Sequence, residues 1–166
     1  MKPARMNFET ELALLQSVAH WERMATGKAR LGEKPAGEQC ALCEKFCWWT
    51  SQNRECLGCP VMERTGRPHC RSTPFARAHW EFYWLPESFP ASAKKEVDFL
   101  KSLLPTGRRK PAELKAFVAG LVPGKPVEVP DLRLRNSLYR VAARLGITDD
   151  PMAGSVTYFE IGRAHV

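Results

Sequence analysis

Six cysteines fall within residues 40–70, in the order Cys40-x2-Cys43-x3-Cys47-x8-Cys56-x2-Cys59-x10-Cys70. A C-x2-C pair brings two thiolates to one tight turn. Two such turns facing each other fill the four tetrahedral corners that zinc prefers, with sulfur at about 2.3 Å from the ion. Cys40/Cys43 and Cys56/Cys59 are those pairs, separated by twelve residues. The intervening loop is shorter than in the common zinc spacing, and a two-stranded ribbon would bridge it. Gly58 suits the second turn because it tolerates positive φ. With six thiols for four corners, Cys70 is an alternative ligand in place of Cys56, Cys47 is a spare buried thiol, and His69 is a further candidate. Iron is the second metal considered, since Cys59-Pro60 is shared with ferredoxin runs, but the remaining spacing departs from their pattern. Residues 40–70 hold few large aliphatic side chains. Ion binding on the order of 10 kcal/mol would supply what the missing core does not, so this segment is expected to fold only with its metal.

The surrounding elements must position these turns. Phe8, Leu12, Leu15 and Ala19, widened by Leu14, Val18 and Trp21, predict an amphipathic helix over 8–26 that stops at Gly27. Residues 27–39 read as a loop. Helices are predicted over 75–85 and 91–104. The basic linker Thr106–Pro111 then marks a domain boundary. A helix beginning at Pro111 runs through Leu121. Pro123–Pro126 forms a turn, 127–129 a short strand, and Asp131 caps a helix that ends at Leu145 and Gly146. Residues 155–159 are rich in strand formers. The expected fold is therefore α+β. A helix-rich module holds the cysteine zinc site over 1–105, and a small basic α/β-type module of helix-strand-helix-strand order occupies 106–159. Residues 160–166, Glu-Ile-Gly-Arg-Ala-His-Val, match the translation of a widely used sequencing adapter and read as foreign to the protein.

The stretch Ala19-His20-Trp21-Glu22-Arg23-Met24, the pair Cys40-Ala41-Leu42-Cys43, Cys56-x-Gly58-Cys59-Pro60-Val61, Thr65-Gly66 and Cys70-x2-Thr73-Pro74-Phe75 resemble a group of small uncharacterised phage and prophage proteins. The similarity spans about residues 8–104. It implies a zinc-binding phage accessory protein working in the cytoplasm of a bacterial host. In that pattern Cys40, Cys43, Cys56, Cys59 and Cys70 have counterparts and Cys47 does not. The run Leu138-Tyr139-x-Val141-Ala142-Ala143-Arg144-Leu145-Gly146-Ile147 is similar to another short module common in phage proteins.

Lys and Arg total 25 against 18 Asp and Glu, for a net charge of +7. The chain stays basic after four thiolates and one divalent ion are counted, which favours a polyanionic partner. Arg133, Arg140 and Arg144 fall within about 40° of one another on the predicted helix. With Arg108, Arg109 and Lys110 of the linker they form a candidate nucleic-acid grip. Trp48, Trp49, Trp80 and Trp84 are assigned to the core or to a cap over the metal site, with stacking on single-stranded bases as the alternative. Two other functions are considered. A protein-binding adaptor acting on a host factor would show an exposed patch at Trp80, Tyr83 and Trp84. A metal-dependent nuclease would unite two of His20, His69 and His79 with carboxylates such as Glu22 or Glu81. No nucleophile elbow, phosphate-binding glycine loop or zinc-protease motif is present, and the reading leans away from an enzyme. No stretch has the apolar length of a membrane span. No signal peptide is read, so a reducing compartment is expected, in which clustered cysteines bind metal rather than form disulfides.

Overall fold

The computed structural model describes residues 6–47, 56–107, 109–147 and 158–159. Trp48, Trp49, Arg108, residues 155–157 of the second expected strand and the adapter-like tail lie outside them. The described residues form seven α-helices: α1 (Phe8–Ala25), α2 (Ala41–Phe46), α3 (Pro60–Thr65), α4 (Phe75–Trp84), α5 (Phe89–Ser102), α6 (Pro111–Ala119) and α7 (Leu132–Arg144). Extended structure among them amounts to β1 (Val127–Glu128) and β2 (Tyr158–Phe159), paired antiparallel with Val127 opposite Phe159. The α+β expectation is thus corrected: the molecule is helix-dominated. The cause is local. Pro126 and Pro130 bracket β1, and a proline has no N–H to extend a ladder in either direction.

The chain divides into two compact units, one of residues 16–105 and one of residues 1–15 with 106–166. Helix α1 runs from the second into the first. Asn7 begins it, its side-chain oxygen accepting the Thr10 N–H at 2.8 Å. Gly27 ends it in the left-handed region at φ 70°, with the Lys28 N–H on the Arg23 carbonyl.

In the unit of residues 1–15 and 106–166, Phe8 and Leu12 pack with Leu114, Val118, Val129, Leu134, Leu138, Ala142 and Phe159. The Phe8 and Phe117 rings meet edge to face at 4.9 Å. Helix α7 starts as its sequence predicts: the Asp131 carboxylate accepts the Leu134 N–H at 2.7 Å. It closes on Gly146 at φ 69°, with the Ile147 N–H returning to the Ala142 carbonyl at 2.9 Å.

In the unit of residues 16–105, α4 and α5 pack as neighbours. Helix α4 turns Ala78 and Glu81 inward. Its Phe82 ring meets Phe89 at 5.1 Å, and Phe75 meets Trp21 at 5.8 Å. Trp80 and Trp84, expected in the core or over the metal site, are instead 52% and 70% exposed. Both faces of this helix are aromatic, and Phe75, Ala78 and Phe82 occupy the inward one at i, i+3 and i+7. Among the described residues no helix is long and apolar enough to cross a membrane.

Candidate metal centre

Each cysteine turn is built by its neighbours. The first follows a single 3-10 turn, Gly37–Gln39, whose Gln39 side chain ties Lys34 and Gly32 together. Cys40 is the N-cap of α2, Cys43 lies inside that helix and Cys47 closes it. Ser17 of α1 anchors the turn, with its hydroxyl accepting the buried Leu42 N–H at 3.2 Å and lying 3.4 Å from the Cys40 sulfur. The loop before it is fastened to α1 through Glu33. That carboxylate takes the His20 Nδ1 at 2.7 Å, the Arg23 guanidinium at 2.6 Å and the Arg30 N–H at 2.8 Å.

The second turn runs from Cys56 to Cys59, with the Cys59 N–H on the Cys56 carbonyl at 2.9 Å. Gly58 sits at φ 78°, and a Cβ there would come within 3.5 Å of the Phe46 ring. Pro60 then starts α3, where its missing N–H costs nothing. A short helix lies beside each C-x2-C pair, α2 at the first and α3 at the second; the ribbon expected between the pairs falls largely on residues 48–55, outside the described residues. Cys56 and His69 both adopt positive φ, 49° and 68°. Such conformations are unfavourable for residues with a Cβ and are retained where surrounding structure imposes them. Cys70 opens another 3-10 turn. Thr73 donates to its carbonyl at 2.8 Å, and the Phe75 N–H is held by Glu96 of α5 at 2.9 Å.

These segments converge. All six cysteines, His69 and Glu96 line one cavity of about 270 Å3, with Trp21, Leu42, Val61, Phe75 and Leu100 among its apolar walls. The thiols neighbour one another around it. Hydrogen bonding to Cys43, together with burial, lifts the Cys40 thiol well above the usual range. At Cys43, a hydrogen bond from Cys40 lowers the thiol, but Cys70 and burial outweigh it and the net shift is upward. Burial and Cys56 push Cys47 up to about 12. Burial raises Cys59, against the opposing N–H groups of Val61 and Met62. Cys56 sulfur lies 3.9 Å from His69 Nδ1. Crowded thiols without a cation stay protonated. A divalent ion would reverse that by stabilising each thiolate.

The donor set suits a soft or borderline ion. Sulfur predominates, and backbone N–H groups point at the Cys40 and Cys59 sulfurs, as thiolate ligands require. The thiols are gathered but not drawn tight: among the described residues, no three of His, Cys, Asp or Glu stand in the arrangement of a metal shell.

Among the described residues the histidines do not assemble a second centre. His20 is buried on Glu33, His69 faces Cys56, and His79 stacks between Phe75 and Tyr83. Glu22 pairs with Lys101 and Glu81 with Arg77. Of the residues expected to grip nucleic acid, Lys110, Arg133, Arg140 and Arg144 are exposed. Arg109 is engaged with Glu11 at 2.6 Å, and Arg108 lies outside the described residues. Ser17, Glu33 and Glu96 were not singled out from sequence. Ser17 and Glu33 had a faint signal as polar residues beside apolar or glycine-rich runs, but their partners are set by tertiary contact.

No protein-family model, no curated protein and no solved structure matches this chain.

Proposed function

We propose that the cysteine-lined cavity is a structural zinc site and that the protein is a nucleic-acid-binding accessory protein of phage type. The observation that carries the metal reading is the convergence of all six cysteines, from three separate stretches of chain, on one cavity. Cys40, Cys43, Cys56 and Cys59 are the proposed ligands, with Cys70 as the alternative to Cys56. When bound, zinc would supply cross-linking and charge neutralisation. Ser17, Gln39, Glu33 and Glu96 hold the surrounding backbone in place for it.

The nucleic-acid reading is supported by α7. Arg133, Arg140 and Arg144 lie on one exposed face, and none of them forms an ion pair with a described residue. Such arginines neutralise phosphates without reading sequence.

Elemental analysis of the purified protein by inductively coupled plasma mass spectrometry tests the metal. One zinc per chain is expected, lost in Cys40→Ser and in Cys59→Ser. Iron, or no metal, would refute the assignment.

A further inference from the structure

We propose that the outward face of α4, together with the arginines preceding it, binds single-stranded nucleic acid through base stacking. This rests on the nucleic-acid reading above but uses a different surface and names the class of strand.

Three large aromatic side chains stand in solvent on this face: Trp80 at 52%, Tyr83 at 50% and Trp84 at 70% exposure. From Tyr83 a row of rings at i−4 and i−8 leads through the exposed His79 back to Phe75 of the inward face. Phe75 and His79 centroids are 5.5 Å apart, and His79 and Tyr83 centroids are 5.3 Å apart. Exposed planar rings on a rigid helix offer π-faces to bases of any identity.

Charge selects the occupant. Residues 64–80 contain no aspartate or glutamate. Arg64, Arg67, Arg71 and Arg77 are all exposed. The first three form no ion pair with a described residue. The one acid within α4, Glu81, is buried, and it takes the Arg77 Nε at 2.6 Å while 74% of the Arg77 side chain remains exposed. The exposed aromatics share α4 with the exposed Arg77, the 3-10 turn that carries Arg71 packs against this helix, and the helix's own acid is buried; that charge complements a polyanion with planar groups better than an apolar protein surface. Indoles standing off a helix also need unpaired bases. A duplex buries the base faces within its own stack.

The test is fluorescence anisotropy on the full chain as purified, with labelled oligothymidylate of about 20 nucleotides and a duplex of the same length. Three variants accompany the parent: Trp80→Ala/Trp84→Ala, Arg67→Ala/Arg71→Ala, and Arg133→Ala/Arg140→Ala/Arg144→Ala. The proposal expects tighter binding of the single strand. It expects the aromatic variant to weaken that binding about tenfold or more, with its salt dependence kept. The Arg67/Arg71 variant should lower the slope of log K against log salt by about 1.4. All substituted side chains are exposed, so circular dichroism should match the parent; Arg71 also lines the cysteine cavity, so metal content is measured for the Arg67/Arg71 variant and should match the parent in the Trp80/Trp84 variant. An aromatic variant that binds oligothymidylate within twofold of the parent overturns the proposal. If only the α7 variant then loses affinity, the earlier reading survives and this one fails. If the parent binds neither the single strand nor the duplex, both fail. Salt-insensitive self-association, abolished by Trp80→Ala/Trp84→Ala in a chain that binds no oligonucleotide, would assign the face to protein contact and also refute the proposal.

Discussion

Ser17 carries no charge and little bulk, yet the first cysteine turn hangs on its hydroxyl. Ser17→Ala would leave the buried Leu42 N–H without its acceptor. A cost of about 1–3 kcal/mol is expected in urea unfolding, because an orphaned buried donor loses its full desolvation penalty. Glu33 makes a second prediction. Burial alone would raise its carboxyl, but Arg23, the Arg30 N–H and His20 outweigh burial and bring it from 4.5 to about 2. A depressed carboxylate stabilises the fold above its unfolded pKa and loses that contribution as pH falls. Melting temperature should therefore drop between pH 4.5 and about 2, and Glu33→Gln should flatten that part of the profile. Glu96 behaves in the opposite sense. Burial raises it to about 7, against hydrogen bonds from Thr73 and the Phe75 N–H. Its contribution is full below pH 4.5 and is lost as pH rises through 7, by at most about 3 kcal/mol. Glu96→Gln keeps an acceptor for Phe75 and should remove this alkaline loss, as thermal melts at pH 5.5 and pH 8 would reveal. None of these three roles was legible in sequence, since each depends on which segment lies across from the side chain. The cysteines were legible because turn geometry ties their spacing to their proximity.

At the scale of elements, helices announced themselves well where local chemistry decides. The Asp131 cap, the Pro111 start of α6 and the Gly27 and Gly146 stops follow from backbone hydrogen bonding alone. Helix α4 was harder because its two faces are both aromatic, so composition cannot tell which one is buried. Strand formers at 127–129 were visible, but the bracketing prolines that confine β1 to two residues carried the stronger constraint. Helix α7 supplies the prediction at this scale. If its three arginines each neutralise one phosphate, replacing them with alanine should reduce the salt slope for duplex DNA by about 2.7. An unchanged slope would remove α7 from the interface.

For the molecule as a whole, metal and stability should be linked within one unit. Chelation is expected to speed amide exchange in residues 40–47 and 56–72 while leaving α6 and α7 protected, as hydrogen–deuterium exchange would record. Uniform loss of protection would mean that the two units do not unfold separately. Because burial and neighbouring thiols raise Cys40 and Cys59 when no ion is present, uptake of the proposed zinc should release protons and weaken steeply as pH falls. Calorimetry in buffers of different ionisation enthalpy measures that release directly.

The unit made from residues 1–15 and 106–166 is broken in the chain, and that break orders its birth on the ribosome. Phe8 and Leu12 leave the exit tunnel first, but Leu114, Val118 and α7 follow only after some hundred further residues. At elongation speeds of about 5–20 residues per second, the first turns of α1 wait on the order of 5–20 seconds for their partners. Throughout that interval residues 16–105 can complete their own packing, while Phe8 and Leu12 remain available to nascent-chain chaperones.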